Sequence, residues 1–308
     1  MLSDKTLRLV PDPRRCTAKF LHHVLCSGQV RDQVDSLLSG STGQANVSQK
    51  NIAELRVPEV GLRAQHRIVE VLDSAQGRID AEEAALLKHD SLWEGVLDAE
   101  LERHHLNHGS SRLIDVCLAG GQYGSNSPAS PHRLGLPRYI RITDIDEKGF
   151  LSPGGSEAAS ISLGAADRYI LAEGDLLIAR TGYTTGKSYL YAPSDGLCAF
   201  AGYLVRFRID PSKMLPEYAF LWTHGKAFRG WVSRNIHEVG QRNISAREYN
   251  EHEIAHPPLE EQRKLVDAVR AARAARKLRT TEVDRLRTLR SALADDLFGG
   301  RVPLQEIS

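Results

Sequence analysis

Cysteine is scarce in this 308-residue chain, and the four present, Cys16, Cys26, Cys117 and Cys198, form no CxxC pair. That spacing suggests neither a zinc ribbon nor a disulfide scaffold. No run approaches the roughly 18 apolar residues of a membrane span, and Met1 to Arg15 lack the apolar core of a secretory signal. A reduced, cytoplasmic setting is expected. Neither sign of charge dominates: 40 Lys/Arg against 39 Asp/Glu leave a formal net charge of +1, so any nucleic-acid surface must be local. Catalytic signatures are missing as well. There is no Asn-Pro-Pro-Tyr or Asp-Pro-Pro-Tyr loop for amino-methylation, no Gly-rich cofactor loop after a strand, and no Ser/His/Asp arrangement that sequence order singles out.

What the chain does contain is an internal repeat. Gly43-Gln44-Ala45-Asn46-Val47-Ser48 matches Gly240-Gln241-Arg242-Asn243-Ile244-Ser245. The match runs on through Leu62, Gln65, Ile68 and Val69 against Leu259, Gln262, Leu265 and Val266, at a constant offset of 197. The same offset aligns Leu92 with Leu289 and Val96 with Leu293. Two copies this far apart argue against a solenoid, whose periods run to about 50 residues, and imply a duplicated domain with a trailing helix. The first copy is short, with 58 residues before its helix against some 150 between the two helices.

Leu7-Arg8-Leu9-Val10 before Asp12-Pro13 reads as a short strand and turn, resembling Val205 to Ile209 before Asp210-Pro211. Helical spacing follows at Phe20 to Leu25 and at Gln29 to Leu38, with Val30, Val34 and Leu37 on one face. From Leu62 the positions Ile68, Leu72, Ala75, Ile79, Leu86, Trp93 and Val96 form a heptad seam, interrupted by Gln65, Glu82 and His89. The second seam is Leu265, Val269, Ala272, Val283, Leu286, Leu293 and Leu297, interrupted by Arg276, Arg279 and Arg290. Residues 62–103 hold ten Asp/Glu against five Lys/Arg, and residues 259–298 hold ten Lys/Arg against seven Asp/Glu. Opposite charge and apolar seams favour pairing of the two helices within one chain.

Between the helices, Arg138 to Ile142, Gly174 to Arg180, Ser188 to Tyr191 and Tyr203 to Ile209 are β-type runs, followed by helices at Pro216 to Trp222 and around Phe228 to Val232. The fold class expected is α+β: a strand-rich domain plus two long helices in an antiparallel coiled coil, built on an internal duplication.

The succession Tyr139 to Ile145, Gly174 to Gly182, Gly186-Lys187, Gly240 to Ser245 and Pro257-Pro258-Leu259-Glu260-Glu261-Gln262 resembles the DNA-specificity subunit of type I restriction-modification systems. The resemblance implies a non-catalytic reader with two target-recognition domains, held apart by two antiparallel helices that dock methyltransferase subunits. It implies double-stranded DNA, methyltransferase and restriction subunits as partners. No cofactor is expected in this chain, and S-adenosylmethionine would belong to the methyltransferase. The implied segments are a truncated first recognition domain at 1–58, a spacer helix at 59–107, a complete second domain at 108–257, a second spacer helix at 258–300 and a tail at 301–308. A helix of about 40 residues is roughly 60 Å long, matching about 17 base pairs between half-sites. The first copy lacks counterparts of Tyr139 to Ile145 and of Gly174 to Lys187. Self-association, or pairing with a second specificity fragment, would supply a second reader.

Gly182 to Ser188 resembles a phosphate-binding loop but has three residues between its glycines where the motif needs four, and a strand-like run where the motif needs a helix. As a hairpin tip it carries Arg180, Thr181, Tyr183, Thr184, Thr185 and Lys187, cations for phosphates and hydroxyls for base edges; the bland alternative is an ordinary polar hairpin. Gln241, Arg242 and Asn243 are residue types that contact adenine or guanine, on a loop that ends at Ser245, a candidate N-cap. Because Gln44 and Asn46 recur in the first copy, a structural role for that loop stands beside base reading, and Arg242, facing Ala45, is the better DNA candidate. Arg141 and Thr143 follow the same logic at a strand end. His104, His105 and His108 are read as solvated side chains at a helix end, and Arg270, Arg273, Arg276, Lys277 and Arg279 as facing partner carboxylates or water.

The function expected is sequence-specific DNA recognition that directs partner subunits to a site. The alternative is a degenerate or truncated scaffold that binds the methyltransferase without reading DNA. A nuclease is disfavoured because no acidic metal-binding constellation stands out.

Overall fold

A computed structural model describes residues 6–37, 47–152, 158–236 and 243–301. The chain divides into two compact units, Met1–His89 with Ala274–Ser308, and Asp90–Arg273.

The first unit holds α1 (Ala18–Leu25), α2 (Gly28–Leu37), α3 (Gln49–Ala53), the start of α4 (Leu62–His108) and the end of α9 (Leu259–Phe298). Thr17 begins α1, its hydroxyl accepting from Phe20 N–H. Phe20, Val24 and Val30 then pack on Ile68, Val69 and Leu72 of α4 and on Ala294, Leu297 and Phe298 of α9. Fully burying one such side chain is worth about 1.5–3 kcal/mol.

The second unit contains three sheets and the helices that cover them. The main sheet orders β2 (Cys117–Tyr123), β9 (Leu204–Ile209), β6 (Asp175–Ala179) and β7 (Ser188–Leu190), all antiparallel. A smaller sheet orders β3 (Ser130–Pro131), β5 (Ala159–Ser160), β4 (Arg138–Ile140) and β8 (Cys198–Phe200), with β4 and β8 parallel. β1 (Ser110–Arg112) pairs with β10 (Glu253–Ala255). The short α5 (Leu163–Ala166) precedes β6, while α6 (Pro216–His224), α7 (Lys226–Asn235) and α8 (Ala246–Asn250) follow β9. Every residue of β6 is buried. Leu176 and Ile178 face the core shared with the helices, and Leu177 and Ala179 face the smaller sheet. A continuous apolar run is what a strand covered on both faces requires.

The two units repeat one helical module. In the first, Gln65 is buried: its Oε1 accepts Thr17 N–H (2.8 Å), and its Nε2 donates to the carbonyls of Val60 (2.8 Å) and Arg15 (2.7 Å). In the second, buried Gln262 accepts Leu215 N–H (2.8 Å) and donates to Pro257 (2.8 Å) and Lys213 (3.3 Å) carbonyls. Asp12 and Asp210 open matching turns, accepting the N–H of Arg14 and of Ser212 at 3.0 Å. Ser48 caps α3 as Ser245 caps α8. The ion pair Lys19–Asp73 (2.9 Å) returns as Glu217–Arg270 (2.6 Å) with its signs exchanged. Thus α1 to α4 correspond to α6 to α9 in order.

Several expectations need correction. Residues Leu7 to Val10 form no strand and are exposed, because the described part of the first unit offers no strand to pair with their backbone. The run from Arg138 stops at Ile140, since the Asp144 carboxylate accepts Arg141 N–H (2.7 Å) and turns the chain. Val96 is 48% exposed; after Trp93, which packs on the core as expected, the apolar stripe of α4 passes through half-buried Leu97 and buried Leu101. A helix of 3.6 residues per turn drifts away from a strict seven-residue repeat. His104 is buried, its Nδ1 3.1 Å from the Tyr218 hydroxyl, because α4 continues to His108 and packs on α6. Arg273 is exposed, within the expectation of carboxylates or water, and its guanidinium also lies over the rings of Phe150 and Phe220. The charge complementarity of the long helices is realised in Arg279–Glu82 and Arg287–Glu83 of the first unit and Arg103–Glu261 of the second. The loop Gly43 to Asn46 lies outside the described residues.

Candidate nucleic-acid interface

One end of the main sheet gathers side chains that are distant in sequence. Tyr123 closes β2, Tyr203 precedes β9 and Arg180 follows β6. Arg180 N–H donates to the Tyr203 carbonyl (3.0 Å), and Ile244 N–H donates to the Arg180 carbonyl (2.9 Å). Thr181 and Asn243 form an antiparallel bridge beside them. Ala201 N–H donates to the Ile140 carbonyl (3.0 Å), which brings the end of β4, and so Arg141, next to the same turn. Gly124 permits the crossing: a Cβ there would lie 2.3 Å from the Ala201 carbonyl oxygen.

This end is held from two sides. From α8, the Tyr249 hydroxyl donates to the Ala179 carbonyl (2.9 Å), Ala246 N–H donates to the Tyr123 hydroxyl (3.0 Å), and Asn250 Oδ1 accepts Gly121 N–H (2.9 Å). Burial pushes the Tyr249 phenol above its ordinary range. Within the sheet, buried Arg206 meets buried Asp175 (3.2 Å), the Ile170 carbonyl (2.8 Å) and Gln122. Burial lowers the Arg206 pKa, partly offset by Asp175.

The hairpin that leaves this end is stiff. Gly182 and Gly186 adopt φ of +76° and +89°, and a Cβ on Gly186 would press within 2.9 Å of Val232. Thr185 donates to the Gly182 carbonyl (2.8 Å) and Thr184 to the Thr181 carbonyl (3.5 Å), so these hydroxyls serve the turn. Lys187 is 12% exposed, bonded to the Ile145 carbonyl (3.1 Å) and paired with Glu147 (2.7 Å). Arg141 grips Asp144 through Nε (3.1 Å) and Nη2 (2.9 Å). Thr143 is exposed, and Tyr183 is 94% exposed. Arg180 differs from the other two cations: its guanidinium carbon sits 4.5 Å from the Tyr123 ring centroid, and among the described residues it forms no salt bridge. Gln241 and Arg242 lie outside the described residues.

Sequence reasoning missed Tyr123, Tyr203 and Arg247. The first two each stand beside a glycine at the end of a β-type run, a signal that was available; Arg247 is exposed in the first turn of α8, a helix too short for periodicity to reveal. The assembled surface offers aromatic faces, a stacked guanidinium and exposed hydroxyls, groups suited to base edges and phosphates. Among the described residues, no cluster of His, Cys, Asp and Glu is arranged to hold a metal ion, and no helix is long and apolar enough to cross a membrane.

No protein-family model matches the chain, and no curated protein matches it. Solved structures do. The HsdS subunit from Thermoanaerobacter tengcongensis is similar at 18% identity and TM-score 0.53, covering 94% of this chain and 71% of that one. A structure concerned with complex assembly and conformational transition of the type I R-M system is similar at 18% identity and TM-score 0.65, covering 92% and 71%. The type I restriction-modification S subunit from M. genitalium is similar at 14% identity and TM-score 0.50, covering 93% and 74%. With its strand-rich second unit, its two long helices and its repeated helical module, the chain has the fold of the specificity subunits of type I restriction-modification systems.

Proposed function

We propose that this chain is a non-catalytic DNA-specificity subunit of a type I restriction-modification complex. The fold shared with S subunits over more than nine-tenths of the chain carries the reading. The second unit reads duplex DNA with the sheet end around Arg180, and the long helices dock methyltransferase subunits, which bring S-adenosylmethionine and the methyl-transfer chemistry. Restriction subunits join the same assembly. A second half-site is read by another copy of this chain or by a second specificity fragment.

One observation favours a lesser role. The described residues of the first unit include no strand, so a scaffold that holds the methyltransferase without reading DNA is the competing account. The two separate in a binding competition with the purified complex of chain and methyltransferase. Retention of particular duplexes against excess random DNA supports the reader. A complex that assembles but holds all duplexes alike leaves the scaffold.

A further inference from the structure

Among the described residues, Arg180 is a cation of the sheet end whose charge is not already spent inside the unit. Arg141 is committed to Asp144 and Lys187 to Glu147 and the Ile145 carbonyl. Arg180 has no such partner among the described residues, and it is not loose either. Its backbone is tied on both sides, through N–H to Tyr203 and through its carbonyl to Ile244. Its guanidinium lies over the Tyr123 ring, and that ring is fixed by the bond from Ala246 N–H to its hydroxyl. With Nε buried and without a hydrogen-bond partner, the donors left to meet a ligand are those of Nη1 and Nη2, and a planar fork held in place loses little rotamer freedom on forming two parallel hydrogen bonds. In duplex DNA the edge that accepts such a fork in the major groove is guanine, through O6 and N7.

Resting on the proposed DNA-reading function, we propose that Arg180 reads a guanine of the target site in the major groove, with Tyr123 as its positioning residue. The two roles fail differently. Lys keeps the charge of Arg180 and can still donate to guanine, but without the planar fork, so Arg180→Lys weakens the guanine preference less than Arg180→Ala while general affinity persists. Tyr123→Phe keeps the ring but loses the bond that fixes it and weakens the preference in part, and Tyr123→Ala removes it.

The test is selection of bound duplexes from a randomised library by the full chain in complex with its methyltransferase, followed by sequencing. The wild type is expected to enrich a motif containing guanine. Arg180→Ala should lose roughly 5- to 150-fold of the preference at one guanine position and leave the others intact, and Arg180→Lys should lose a smaller part at the same position. A uniform weakening with the motif unchanged would assign Arg180 to phosphate and overturn the proposal, as would a motif indifferent to the substitution. If the wild type enriches no motif, the reading function itself falls, and this inference with it.

Discussion

Gln65 and Gln262 occupy matching buried positions, and each satisfies three backbone groups at the junction between a turn and a long helix. Gln262→Leu keeps the volume but strands the N–H of Leu215 and the carbonyl of Pro257, while the Lys213 carbonyl keeps His256 Nε2. The loss expected is about 2–6 kcal/mol, at about 1–3 kcal/mol for each of the two buried groups left unmet, measured as a lower urea midpoint at unchanged slope. Arg141→Ala is expected to cost stability, about 1–2 kcal/mol, by freeing the buried Asp144 carboxylate, and to leave the recognised sequence unaltered in the duplex selection. His252 gives a pH signature. It is buried, its Nε2 accepts Trp222 Nε1–H (3.0 Å), and burial takes its pKa from 6.5 to about 4. The unfolded chain binds that proton first, so the contribution is whole above pH 6.5 and is lost as the pH falls from 6.5 towards 4, reaching about 3 kcal/mol. Urea midpoints between pH 7.5 and 5 should decline more steeply for the wild type than for His252→Gln.

At the scale of elements, the long helices were legible because their apolar spacing persists for many turns, and a long strand such as β6 was legible as a buried run. The strands β1, β3, β5, β8 and β10 span two or three residues each, too short for alternation to register, and only the chain on either side makes them strands. The seam of α4 was misplaced at Val96 because a straight helix of about 3.6 residues per turn drifts from a seven-residue template. The candidate site divides in the same way. The Gly182 to Lys187 hairpin was visible from its glycines, but the neutralisation of Lys187 by Glu147 and of Arg141 by Asp144 is a product of packing. Tyr123 and Tyr203 become neighbours of Arg180 only through strand order. Duplication left a testable mark in the exchanged ion pairs. Glu217→Lys should weaken the contact of α6 with α9, and adding Arg270→Asp should restore it, by about 0.2–1 kcal/mol, as befits exposed charges. A double-mutant cycle on denaturation midpoints reads that coupling.

At the scale of the molecule, the internal repeat was the most informative feature of the sequence, and the structure gives it a physical meaning. What is repeated is a four-helix module with its capping serine, its turn aspartate and its buried glutamine. The strand-rich part belongs to the second unit alone among the described residues. Among the described residues, the proposed reading surface is the sheet end around Arg180, and two equivalent modules hold the long helices. The central claim is that this chain gives a methyltransferase its target. It is tested most directly by modified-base sequencing of DNA from cells expressing the methyltransferase with this chain, against cells expressing the methyltransferase alone. The account predicts a methylated motif that appears only with the chain. Identical methylation in both, while the complex purifies intact, would contradict it.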